Sequence, residues 1–135
     1  MRRARGQALV ELALCAPVIT LLTLGVAAVV QVEDASAGLD AATHAAASVA
    51  ARAPDPITAD TAARSRFAAV VAAYPLRGAT VGIAVGDFSR GTDVTVTSHA
   101  YVDVGWAGLV LPHRFEVWSR AAMRVEPWRT HRAPP

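Results

Sequence analysis

The chain has 135 residues, enough for one small domain, and with 53% hydrophobic and 18% charged residues it is too apolar for a disordered chain and low in charge for a soluble one. Its net charge of +2 arises before residue 12, from Arg2, Arg3 and Arg5 against Glu11; the remainder balances ten arginines with ten acidic residues, which leaves no basic face for nucleic acid. A single cysteine, Cys15, excludes an intramolecular disulfide framework and a multi-cysteine metal site.

Residues 1–6 form a short basic leader ending in Gly6. From Leu12 to Val32 no charged residue occurs and only Thr20, Thr23 and Gln31 are polar. At about 1.5 Å per residue such a helix covers the ~30 Å hydrocarbon core, so 7–32 is predicted to be a transmembrane helix. Pro17 and Gly25, costly in a soluble helix, are tolerated there. Arginines precede the run and Glu33 and Asp34 follow it, so the positive-inside rule puts the N-terminus in the cytoplasm and the rest of the chain outside. Cys15 falls within the run and reads as a small buried hydrophobe. Leu12-Ala13-Leu14-Cys15 is a poor lipoprotein signal, because Leu14 stands where a small residue is needed.

Helical patterning continues past the membrane. Val32, Ala35, Leu39, Ala42, Ala46 and Val49 fall on one face at spacings of three and four, which predicts a helix over 33–53 ended by Pro54 and Pro56. The alanine-rich face suits close packing against a domain or a neighbouring helix. A second helix is expected over 58–74, capped by Thr58 and stopped by Pro75 and Gly78. The period then changes to two, and strands are predicted near 79–88, 92–104 and 115–125. Each alternates an apolar with a polar face, as in an antiparallel sheet covered by helix on one side. Ser89-Arg90-Gly91-Thr92 reads as a hairpin turn, and a longer connection through Trp106, Gly108 and Pro112 joins the last two strands. The fold class is α+β, with one extracytoplasmic domain over 33–128 and a disordered tail over 129–135. Trp106, Leu109, Val110 and Leu111 form an apolar cluster in the connection. It either covers the open end of the sheet or, through Trp106, Leu109 and Leu111, forms a partner-binding edge.

Little in the chain points to catalysis. His44, His99, His113 and His131 are scattered, Asp40 and His44 one turn apart read as a solvent-facing pair, and Gly86–Asp93 lacks the alternating acids of a calcium loop. Ser98-His99 and Ser119 come without a nucleophile elbow, and no phosphate-binding loop is present. The expectation is a protein that is not an enzyme, with no cofactor, no metal and no small-molecule substrate.

The most informative string is Arg5-Gly6-Gln7-Ala8-Leu9-Val10-Glu11-Leu12-Ala13-Leu14. A basic leader ending in glycine, a glutamate five residues beyond it and an unbroken apolar helix resemble the processing site of type IV prepilins. With the following proline-containing stretch and the ending Arg120-Ala121-Ala122-Met123-Arg124-Val125-Glu126-Pro127, the chain is similar to the TadE-like minor pilins of the tight-adherence pilus system. Major pilins of that class carry tyrosine where this chain has Leu12, which points to a minor component. The resemblance implies a membrane-bound pilin or pseudopilin, cut by a prepilin peptidase between Gly6 and Gln7. Its partners would be other pilin subunits and the assembly machinery, and its work the assembly, priming or anchoring of a pilus. Glu11 has a physical role in that reading. A carboxylate inside an apolar segment costs about 2.5–3.5 kcal/mol at mid-membrane and less near an interface, so it calls for a partner, which the new amine of Gln7 would supply. Two alternatives remain: a secreted domain whose signal peptide is cut after Ala37, leaving Gly38 first, and an unprocessed bitopic anchor.

Overall fold

The computed structural model describes residues 2–89, 91–108 and 111–125. Arg90, Leu109, Val110 and the tail 129–135 therefore lie outside the described residues. The architecture is α+β: a long N-terminal helix, a second helix and a three-stranded antiparallel sheet.

The two helical segments expected on either side of the membrane boundary are one helix, α1, Arg2–Arg52. Alanine, leucine and valine dominate it, and neither Pro17 nor Gly25 ends it. Pro54 does, because it lacks an N–H and disfavours the helical conformation for the residue before it. Helix α2, Pro56–Val71, starts at once, with Pro56 in the first turn, where no N–H is missed. Its cap is Asp55 and not Thr58. One carboxylate oxygen of Asp55 accepts from the Thr58 N–H at 2.9 Å and the other from the Thr58 hydroxyl at 2.7 Å. Those bonds, the hydroxyl one first, hold the Asp55 carboxyl below the usual carboxylate range. Further along, Arg64 Nε and Nη2 donate to Asp60 at 2.8 and 3.0 Å, and Nη1 reaches the Val81 carbonyl at 3.3 Å, tying α2 to the first strand. The bidentate hydrogen bonds lower the Asp60 pKa and raise that of Arg64, but the exposed pair adds little stability.

The strands are β1, Leu76–Ala84, β2, Asp93–Asp103, and β3, Arg114–Arg124, in that spatial order. The first begins three residues earlier than its sequence pattern suggested, because Leu76 and Arg77 pair with Val102 and Tyr101 before a bulge interrupts the ladder. Gly78 sits in that bulge at φ 58° and so belongs to the strand instead of stopping α2. In β2 the alternation is complete: Val94, Val96, Ser98, Ala100 and Val102 are buried and their neighbours are not.

One face of the sheet packs on the outer half of α1. Ala35, Leu39, Ala42 and Ala46 are fully buried with Val94, Val96 and Val102, and Ala59, Ala63 and Phe67 bring in α2. Four of the six positions of the helical face read from the sequence are these fully buried residues, while Val32 and Val49 are half-buried. Small side chains let the elements approach closely, most of all at Gly38, where an added Cβ would lie 2.3 Å from the Tyr74 ring. Two hydroxyls share the core. Thr43 Oγ1 donates to the Leu39 carbonyl at 2.7 Å and lies 2.6 Å from Ser98 Oγ; a hydroxyl has one proton, so Ser98 must donate to Thr43. Every buried side-chain polar atom among the described residues has a partner.

Candidate functional site

The N-terminal half of α1 carries the Gly6–Glu11 string. Gly6 is exposed, and a Cβ built on it would meet nothing within 4 Å. Gln7 and Glu11 lie one turn apart, and Gln7 Nε2 donates to Glu11 Oε1 at 3.3 Å. Side chains on a helix lean toward its N-terminus, so the Glu11 carboxylate leans back toward residue 7. An amine created at Gln7 would therefore sit within reach of Glu11 on its own chain, and on the open flank it is equally accessible to a neighbour. The Gly6-Gln7 bond is helical. It lies in the second turn, where glycine costs the helix about 1 kcal/mol relative to alanine, so local unwinding there is cheap.

The helix over Gly6–Arg52 is long and apolar enough to cross a membrane, and from Leu9 to Ala27 it makes almost no contact with the domain. Leu9, Leu12, Leu14, Ile19 and Leu22 are each at least 60% exposed, a lipid-like surface that water would not favour. Its polar side chains are satisfied internally: the Thr20 hydroxyl donates to the Ala16 carbonyl and that of Thr23 to Ile19, both at 2.8 Å. Cys15 is exposed on this surface, contrary to the buried position expected of it, because no other element covers α1 at that level.

At the outer end of the apolar run the domain meets the helix again. Trp106, in a 3-10 turn over Gly105–Ala107, donates its indole N–H to Gln31 Oε1 at 2.9 Å, while Gln31 Nε2 donates to the Asp103 carbonyl at 3.1 Å. Leu111 lies with Phe115 beside Ala28, Val29 and Val32 in a hollow against α1. Trp106 and Leu111 thus meet at the root of the helix, and Leu109 lies outside the described residues. The Gln31 clasp is a feature that sequence reading missed. Its signal was that Gln31 is the only amide in the apolar run, but nothing in the chain told which residue, 75 positions away, would meet it.

Elsewhere the titratable residues pair locally. His99 Nε2 hydrogen-bonds Glu116 Oε1 across the exposed face of the sheet, and Arg124 reaches Asp93 at 3.5 Å. Asp40 and His44 are both exposed on α1. Among the described residues no three His, Cys, Asp or Glu side chains gather as metal ligands would.

A glycine at the inner helix end, a glutamate one turn beyond its neighbour and a bare apolar flank make one continuous feature, and it is this stretch that comparison with known families picks out. Residues 6–48 match the family of TadE-like proteins. The matched segment begins at Gly6 and runs through the bare half of α1 into its core-packed half. No curated protein and no solved structure shows a significant match.

Proposed function

We propose that this chain is a minor pilin or pseudopilin of a tight-adherence pilus. It is held in the cytoplasmic membrane by the inner half of α1, with its N-terminus inside and its α+β domain outside, and is cut by a prepilin peptidase between Gly6 and Gln7. It works through contacts with other subunits and with the assembly machinery, in priming or anchoring the fibre, and without catalysis. The observation that carries the reading is that the TadE-like match starts at Gly6, the last residue of the basic leader, and covers the carboxylate at Glu11. Cleavage would leave a positive amine at Gln7 beside an acid in an apolar setting, a pairing that fixes the register of a subunit against its neighbour.

The secreted alternative fits less well. A cut after Ala37 would sever α1 between Ala35 and Leu39, both fully buried, and remove part of the core. The decisive measurement is the N-terminal residue and membrane partition of the full chain expressed with and without its prepilin peptidase. A peptidase-dependent start at Gln7 in the membrane fraction is expected. An intact Met1 in the membrane under both conditions would reduce the protein to a plain anchor, and a soluble chain starting at Gly38 would overturn the membrane reading.

A further inference from the structure

The connection between β2 and β3 runs uncharged for nine residues, from Val104 to Pro112, bounded by Asp103 and His113-Arg114. Its described residues sit low on the helix. Ala28, still inside the apolar run, is only 1% exposed, so the domain presses on the last turns of the segment that would lie in the membrane. Leu111 is what it meets there, with Phe115 beside it. The apolar surface is also continuous, because Leu111 borders the flank of α1 formed by Val18, Leu22, Val26 and Val30.

Depth follows from helix geometry. The uncharged run of α1 and the hydrocarbon core are both about 30 Å long, so Val32 falls at the outer boundary and Ala28 about one turn, ~6 Å, below it. Gln31 is then level with the boundary, and so is Trp106, whose N–H it accepts. The Trp106 ring is 51% exposed with its one donor satisfied inside the protein. An apolar ring without an unmet N–H suits the interfacial belt where tryptophan is enriched.

We infer that the described part of this connection, through Trp106 and Leu111, is a second, interfacial membrane anchor. It rests in the outer leaflet between headgroups and acyl chains, with Trp106 at the boundary and Leu111 beneath it. The occupant of this surface is lipid, because the surface continues the flank of α1 at the same depth and the charged residue beside it, Glu33, stands exposed one residue beyond the boundary at Val32. The inference rests on the membrane reading above and adds that the domain lies down on the bilayer. The Gln31 clasp then fixes the tilt of the domain over its helix.

The test uses the full chain in phosphatidylcholine vesicles, with Trp118→Phe and Trp128→Phe leaving Trp106 as the only tryptophan. A companion variant carrying Trp106→Phe and Trp128→Phe keeps Trp118, which stands 76% exposed on the sheet. Lipid brominated high on the acyl chain is expected to quench Trp106 by at least about twofold, with a blue-shifted emission, and to leave Trp118 unchanged. Trp106 as open to iodide as Trp118, in protein that still floats with the vesicles, would overturn the inference and leave the membrane reading intact. Protein that fails to float would overturn both. A blue shift that vanishes as the lipid-to-protein ratio is raised would assign the loop to a second copy of the chain and also overturn it.

Discussion

Glu11 stands on the bare flank of α1, at the start of the apolar run, with one hydrogen bond from Gln7. That amide is a weak companion for a carboxylate, and a cationic amine is a strong one. Replacing Glu11 with glutamine keeps shape and hydrogen bonding and removes only the charge. The Glu11→Gln chain is expected to enter the membrane and be cut like the unmodified chain. Assembled fibre, measured in the sheared surface fraction, should fall at least about tenfold, the factor that a lost pairing of about 1.4 kcal/mol per contact produces. Fibre at the unmodified level would remove Glu11 from the assembly contacts. The position of this residue was legible because it depends on short spacing alone: a glycine, four residues and an acid before an apolar run. The Thr43-Ser98 pair was not. Its members are 55 positions apart, and an isolated hydroxyl on an apolar face looks the same in sequence whether it is paired or exposed.

At the scale of elements, α1 is one helix with two kinds of surface, apolar all round in its inner half and apolar on one face farther out. The change in periodicity at Val32 made both halves readable, and the two-residue alternation did the same for β2 and β3. Boundaries were less readable where two signals competed. Asp55 and Thr58 are both good caps, and the proline between them at the first helical position decides for Asp55. Gly78 looked like a helix stop because the bulge that needs its positive φ exists only once β1 is paired with β2. Gly38 was equally silent. In an alanine-rich helix a glycine costs about 1 kcal/mol, yet here it makes room for the Tyr74 ring that follows α2. Gly38→Ala should therefore lose more by overpacking than it gains in helix propensity, for a net destabilisation of about 1–2 kcal/mol in denaturant titration of the full chain in detergent. Adding Tyr74→Ala should make the glycine-to-alanine change neutral or favourable, whereas an equal loss in both backgrounds would show that the ring is not the obstacle.

For the whole molecule, the consequence of one unbroken helix is mechanical. Apart from Ala28, the buried core residues of α1 begin at Ala35, and the apolar flank occupies α1 up to Val32, so the rotation of one about the helix axis fixes the rotation of the other. A single alanine inserted between Glu33 and Asp34 turns the inner half by about 100° and moves it ~1.5 Å along the axis. The core beyond Ala35 stays in place, while Gln31 leaves Trp106 and Ala28 leaves Leu111. Loss of that small contact should cost about 1 kcal/mol, a Tm lower by roughly 5 °C in detergent, with the domain still folding cooperatively. On the proposed function, membrane insertion and processing at Gly6 would depend on the apolar run and the leader, both unchanged, and should proceed normally. Assembly should fail, because a subunit held by its helix in the membrane would present its domain to the neighbouring subunit on the wrong side. If fibres form at the usual level, the helix is free to turn beneath the domain and the Gln31 clasp does not set the orientation of the subunit.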